Sequence, residues 1–251
     1  MANITVENLF LSYPVILERA SIRKVVINTL LGGLISRTED YSKIITVDAI
    51  RGISFEISDG ERVGLIGHNG AGKTSLLRVL ATIYQPTSGL VKIKGQVESL
   101  IDVGFGLEPE ETGRENIKFI LTLLGKPQSE LDAEVEEIIN FTELGEFIDL
   151  PVRTYSTGMS TRLSFAIATN IQPEILLMDE VIGAGDLRFQ EKAEKRIEEM
   201  TKRTKIIFLA SHSEGLIKDW CNKVIWMEKG TIVDIGTPEE MWSGYTKSAT
   251  S

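Results

Sequence analysis

Gly67-His68-Asn69-Gly70-Ala71-Gly72-Lys73-Thr74 is the stretch on which the reading of this chain turns. It fills every fixed position of G-x-x-x-x-G-K-[ST], and it sits where that pattern has meaning. Residues 62–66 form a short apolar run before it, and residues 73–82 continue as a helix. In a strand, loop, helix setting the glycines let backbone N–H groups converge on phosphate oxygens at the helix N-terminus. Lys73 then neutralises charge on the β- and γ-phosphates, Thr74 ligates Mg²⁺, and Ser75 donates to the α-phosphate. His68 belongs to the loop by position, but as a lone imidazole it is read as incidental.

Moving outward, Ile175-Leu176-Leu177-Met178-Asp179-Glu180 is a buried apolar strand ending in two carboxylates. In a parallel sheet such an end lies at the carboxyl edge, beside the phosphates. Asp179 suits the magnesium shell, which leaves Glu180 to polarise the attacking water as a general base. Helical residues 159–170 and 189–200 alternate with strands 175–178 and 205–210, the pattern of a parallel α/β sheet. Residues 53–57 alternate apolar and polar and, with the turn signal Asp59-Gly60, suggest a hairpin into residues 62–66. A second hairpin is expected where residues 224–228 and 231–235 flank Lys229-Gly230, and Thr237-Pro238-Glu239-Glu240 resembles a capped helix start.

Toward the N-terminus, residues 4–11 read as a strand that Pro14 ends. Residues 15–35 space Ile22, Val26, Leu30 and Leu34 as one helical face, with Arg19, Arg23 and Arg37 adding positive charge; Gly32-Gly33 bends it, and residues 36–42 form a loop before a strand at 43–50. Residues 115–144 are mainly helical, broken at Lys126-Pro127.

The bulk numbers set limits. The chain has 251 residues, 42% hydrophobic and 25% charged, enough for one large α/β domain. A formal net charge of −9 argues against a sequence-independent nucleic-acid binder, which needs clustered Lys and Arg. One cysteine, Cys221, excludes an internal disulfide and a thiolate zinc cluster. The start, Met1-Ala2-Asn3-Ile4-Thr5-Val6, lacks the features of a secretory signal, so a cytosolic chain is expected. No window reaches the run of about 20 apolar residues that spans a bilayer, so membrane contact is expected to be peripheral.

The chain resembles the ATP-binding-cassette family through Tyr155-Ser156-Thr157-Gly158-Met159-Ser160, similar to that family's LSGGQ signature. The resemblance implies an α/β P-loop ATPase over residues 1–251, with a RecA-like parallel-sheet core, an antiparallel β subdomain and an α-helical subdomain at about 104–170. It implies ATP and Mg²⁺ as ligands, and a homodimer in which Ser156, Thr157, Gly158 and Met159 meet ATP bound on the other copy. Asp186, in Gly183-Ala184-Gly185-Asp186, takes the D-loop position. His212 takes the switch-histidine position, where it would contact the γ-phosphate and help orient Glu180 and water. Tyr13 is the candidate for stacking on adenine, with Tyr41 a rival. The family's Q-loop glutamine position falls on Val103, so that residue is unassigned; Asp102 substitutes for it, or coupling is arranged differently.

The stretches Gly104-Phe105-Gly106, Thr112-Gly113-Arg114-Glu115-Asn116 and Pro151-Val152-Arg153-Thr154-Tyr155 resemble the branch that exports lipid-linked polysaccharides such as O-antigen, teichoic acid or capsule. That branch implies two integral-membrane permease subunits, a lipid-linked glycan as cargo, and a place on the cytoplasmic face of the bacterial inner membrane. Relatives carry an insertion between the first two strands that matches residues 14–42; its amphipathic helix lies at the membrane interface or packs on its own domain. An exporter of other lipids or drugs, or a non-transport ATPase of the same family, is the alternative.

Overall fold

The computed structural model describes residues 1–16, 34–36, 44–101, 106–179 and 187–249. The chain divides into two compact units, one of Met1–Val97, Pro173–Val181 and Lys205–Ser251, the other of Glu98–Gln172 and Ile182–Thr204.

The first unit holds two sheets, apart from Glu98 and Ser99 at the end of one strand, which belong to the second unit. The antiparallel one contains β1 (Asn3–Ile16), β2 (Leu34–Ser36), β3 (Ile44–Ser58) and β5 (Ser88–Lys94) in the order β2-β3-β1-β5. The other contains β4 (Arg62–Ile66), β6 (Val97–Ser99), β7 (Ile175–Asp179), β8 (Ile206–Ala210), β9 (Lys223–Glu228) and β10 (Thr231–Gly236) in the order β10-β9-β4-β8-β7-β6. Strands β9, β4, β8 and β7 are parallel, and β10 is antiparallel to β9. These parallel strands are apolar on both faces: all five residues of β8 are buried, as are Val63 to Ile66 and Ile175 to Met178. Strands of that kind need cover on both sides. Helix α1 (Lys73–Leu80) buries Leu76, Leu77 and Leu80 completely.

Three sequence expectations are corrected here. Residues 53–57 and 62–66 form no hairpin, because β3 pairs with β1 and β2 whereas β4 pairs with β8 and β9. The turn at Asp59-Gly60 therefore passes between two sheets; a strand buried on both faces takes parallel partners on both edges. Residues 44–58 make one long strand rather than two. Pro14 does not end β1, which continues to Ile16 with Pro14 opposite Thr46. Ser12 N–H points away from β3, to Thr87 Oγ1 at 2.8 Å, and the nitrogen of Pro14 two residues on faces the same side, beyond the last β1–β5 pair at Phe10 and Ser88. No ladder donor is needed there.

The helix expected over residues 15–35 is bounded by strands, since Val15 and Ile16 belong to β1 and Leu34 to Ser36 pair with Asp48 to Thr46. Its remainder, residues 17–33, lies outside the described residues. The β9–β10 hairpin forms as expected, with Lys229 and Gly230 at φ 46° and 79°, the left-handed pair that a two-residue turn requires. Helix α6 (Glu214–Trp220) follows β8, and α7 (Pro238–Ala249) closes the unit behind a reciprocal pair between Thr237 and Glu240.

The second unit is helical: α2 (Gly113–Leu123), α3 (Gln128–Thr142), α4 (Thr157–Ala168), α5 (Leu187–Arg203) and two 3-10 turns at Gly145–Asp149 and Val152–Thr154. Its core joins Ile117 and Leu121 of α2, Leu131, Val135 and Ile138 of α3, and Leu163 and Ile167 of α4. Phe141, Phe165 and Phe189 form a second knot, their centroids 5.8 to 6.0 Å apart. Lys192 and Arg196 lie over the Phe141 ring. The buried Asn116 clamps the turn before α2, accepting from Glu108 N–H at 2.7 Å and donating to Glu108 O and Thr112 O. Among the described residues no helix is long and apolar enough to cross a membrane.

Candidate functional site

Because β4, β7 and β8 are parallel and adjacent, their carboxyl ends share one edge of the sheet. The loop from Gly67 to Gly72 leaves the first, Asp179 ends the second, and Ser211 and His212 follow the third. Open parallel sheets bind ligands at that edge, beside a switch in strand order.

The loop is held by backbone, which explains its glycines. Gly67 has φ 143°, and a Cβ there would lie 2.2 Å from Met227 O. Gly72, at φ 105°, abuts Ala49 O, and Gly230 N–H donates to Ala71 O at 3.0 Å. Strand β3 and the β9–β10 turn thus press on the loop from outside. Ala49, Met227 and Gly230 shape it, yet nothing in their own sequence surroundings marks them.

Gly72 is also the N-cap of α1 and supplies no side-chain acceptor. The first intrahelical bond runs from Leu76 N–H to Gly72 O at 2.9 Å, so the first-turn N–H groups point out of the helix end. With the helix dipole they make a positive, anion-seeking concavity. Lys73 is buried in it. Its Nζ donates to Gly67 O at 2.7 Å and to His68 O at 3.3 Å, and it stands 3.5 Å from His212 Nε2. His212 is exposed, whereas His68 is half-buried with Nδ1 2.8 Å from the carbonyl of Asn69.

Thr74 donates its hydroxyl to Asp179 Oδ2 at 2.5 Å. A hydroxyl and a carboxylate oxygen so placed are the donor set of a small hard cation that keeps waters and takes phosphate oxygens for the rest of its shell. Among the described residues no three His, Cys, Asp or Glu side chains converge as a metal cluster, and such a cation needs none.

Tyr13 is exposed on β1, opposite Val47 of β3. Its ring meets Tyr84, a residue that sequence reasoning passed over, with centroids 6.2 Å apart. Within the helical unit Ser156 is the N-cap of α4, accepting from Met159 N–H at 3.3 Å. Ser156 and Thr157 are exposed, and a Cβ on Gly158 would meet nothing nearer than Ser156 Oγ at 4.0 Å. Behind them Tyr155 donates its hydroxyl to Phe147 O at 2.7 Å. Lys73, Thr74, Asp179 and His212 therefore converge, with the loop glycines, in the first unit. Glu180, Asp186, Tyr41 and the Asp102 and Val103 positions lie outside the described residues.

A protein-family model described as ABC transporter matches residues 50–183. The chain is 44% identical over 235 residues to the O-antigen export system ATP-binding protein RfbE of Yersinia enterocolitica, covering 93% of this chain and 98% of that one. It is 42% identical over 199 residues to the teichoic acids export ATP-binding protein TagH of Lactococcus lactis, covering 79% of this chain and 42% of that one. A solved dimeric ATP-binding cassette in a post-hydrolysis state, bound to ADP and Pi, shares the fold at a TM-score of 0.68 and 18% identity, over 94% of this chain and 98% of that one. With a phosphate loop, a facing strand-end carboxylate and a relative matched almost end to end, the chain belongs to the ABC transporter family, as one of its ATP-binding proteins.

Proposed function

We propose that this protein hydrolyses ATP to drive export of a lipid-linked polysaccharide, with O-antigen the first expectation, through a separate permease in the bacterial inner membrane. The observation that carries the cargo class is the 44% identity over nearly the whole length of an O-antigen export protein. The likeness to a teichoic acids export protein favours the same class of cargo, a lipid-linked polymer, over a small lipid or drug.

The hydrolytic step follows from the site. ATP lays its phosphates on the first turn of α1, and the Lys73 ammonium exchanges the Gly67 and His68 carbonyls for β- and γ-phosphate oxygens. Thr74 and Asp179 would hold Mg²⁺, which would supply charge neutralisation at the phosphate oxygens. Glu180 follows directly on β7 and polarises the water that attacks the γ-phosphorus as the bridging oxygen leaves with ADP. His212 Nε2 turns from Lys73 to the γ-phosphate. Ser156 and Gly158 close the site from a second copy, where the N-cap hydroxyl and the uncovered glycine leave room for a phosphate. Two ATP molecules are thus sandwiched in a head-to-tail homodimer, and closure moves two permease subunits from the cytoplasmic face.

Deleting the gene tests the cargo. Lipid-linked glycan should accumulate inside the cell and surface glycan should disappear, with a plasmid copy restoring both and a Lys73→Ala copy restoring neither. Unchanged surface glycan in the deletion would overturn the proposal and leave export of other lipids, or a non-transport role, as the reading.

A further inference from the structure

The segment after α1 is laced to β1. Thr87 N–H donates to Phe10 O at 2.8 Å and the Thr87 hydroxyl to Ser12 O at 3.3 Å, while Ser12 N–H donates back to Thr87 Oγ1 at 2.8 Å. Ser12 is tied in turn to β3, its hydroxyl donating to Asp48 Oδ1 at 2.8 Å. At the other end of the segment Thr82 takes a left-handed φ of 59°, and Tyr84 N–H donates to Arg78 O at 3.1 Å. The Arg78 guanidinium lies 5.6 Å from the centroid of the Tyr84 ring and donates to its hydroxyl at 3.4 Å. Backbone and side chain of Tyr84 are both fixed.

What they fix it against is Tyr13. The two rings are 6.2 Å apart with planes at 49°, a tilted aromatic pair within attractive range. Tyr13 faces Val47 across the ladder, two residues along β3 from Ala49, the residue that the register shift between Leu11 and Ser12 leaves without a partner on β1. The carbonyl of Ala49 abuts Gly72 of the phosphate loop. The partner of Tyr13 on β3 is therefore two residues, about 7 Å at most, from the residue that touches the loop, within the span of a nucleotide whose phosphates lie on that loop. Its ring is still 37% exposed.

We propose that Tyr84 is a positioning residue for the nucleotide base, holding the Tyr13 ring at the tilt in which its open face receives the purine. This rests on the reading of Tyr13 as the adenine-stacking residue. Tyr84 acts through Tyr13. Without it an exposed ring samples several rotamers, and stacking has to freeze them out, which weakens binding of the base alone. The triphosphate, held by the loop and Lys73, does not register the loss.

The test compares full-length wild type, Tyr13→Ala, Tyr84→Ala and Tyr84→Phe by calorimetric binding of ATP and of inorganic tripolyphosphate, each with Mg²⁺. From the worth of an aromatic pair, Tyr84→Ala should raise the Kd for ATP about three- to tenfold. Tripolyphosphate affinity should not change, and Tyr84→Phe, which keeps the ring, should bind ATP like wild type. General damage to the fold would weaken both ligands, and that result would overturn the proposal. So would wild-type ATP affinity in Tyr84→Ala while Tyr13→Ala is impaired. Unchanged ATP affinity in Tyr13→Ala would instead remove the stacking reading itself, and Tyr84's role with it.

Discussion

Gly67 and Gly158 both belong to the proposed nucleotide site, and their surroundings make opposite demands. A methyl at Gly67 runs into Met227 O at a φ few other residues adopt, so Gly67→Ala should cost about 1–3 kcal/mol of stability and displace the loop. A methyl at Gly158 meets open space, and alanine is the better helix former by about 1 kcal/mol. Gly158→Ala should therefore leave the thermal midpoint unchanged or higher while ATPase activity falls, because only a second copy's ATP needs that space. Equal ATPase activity in Gly158→Ala would remove the trans contact. Glu98 offers a pH test. Burial pushes its carboxyl from 4.5 up to about 7, partly offset by a bond from the Ser99 backbone. The folded state then holds a proton that the unfolded state has released, so this stabilisation is complete below about pH 4.5 and is lost as pH rises through 7. Glu98→Gln should flatten the fall in melting temperature between pH 5 and 8. An unchanged slope would show that Glu98 is charged throughout.

At the scale of elements, the start of α2 is specified by a complete capping box. Thr112 Oγ1 accepts from Glu115 N–H at 3.1 Å, and the Glu115 carboxylate accepts from Thr112 N–H at 2.9 Å and from its hydroxyl at 2.7 Å. Such a box satisfies two donors that the helix end leaves open. Thr112→Ala should lower stability by about 1 kcal/mol in urea unfolding, and Thr112→Ser should recover most of it. No shift in midpoint would mean that solvent replaces the cap. Strands were harder to read than helices. β5, with Leu90-Val91-Lys92-Ile93-Lys94, carries an alternation that could have announced it, but the boundary between β3 and β4 could not have been placed locally. An Asp-Gly turn between two apolar runs fits a hairpin equally well; the choice was made by β8 and β9, strands far along the chain that cover both edges of β4.

On the scale of the whole molecule, one chain is proposed to carry two halves of different sites: Lys73, Thr74 and Asp179 in the first unit, Ser156 and Gly158 in the second. Turnover then requires two copies. Glu180→Gln keeps every phosphate contact and removes the base, so with ATP and Mg²⁺ its mass by light scattering should double. Lys73→Ala should stay monomeric under the same conditions. A Glu180→Gln protein that stays monomeric with saturating ATP would contradict the sandwich.

The sequence alone determined the phosphate loop, the strand that ends in Asp179, the signature-like stretch at Ser156 and hence the family, because each is a contiguous run whose spacing is its chemistry. It determined most helices too, since breaks such as Lys126-Pro127 and starts such as Thr237-Pro238-Glu239-Glu240 are local. Only the tertiary structure decided that Thr74 meets Asp179 across 105 positions and Lys73 meets His212 across 139, that Pro14 stays in its ladder, and that the Tyr84 ring meets Tyr13. The reason is physical: a strand's pattern states which faces are buried but not which strand lies beside it, and every one of those meetings depends on a neighbour chosen by non-local pairing.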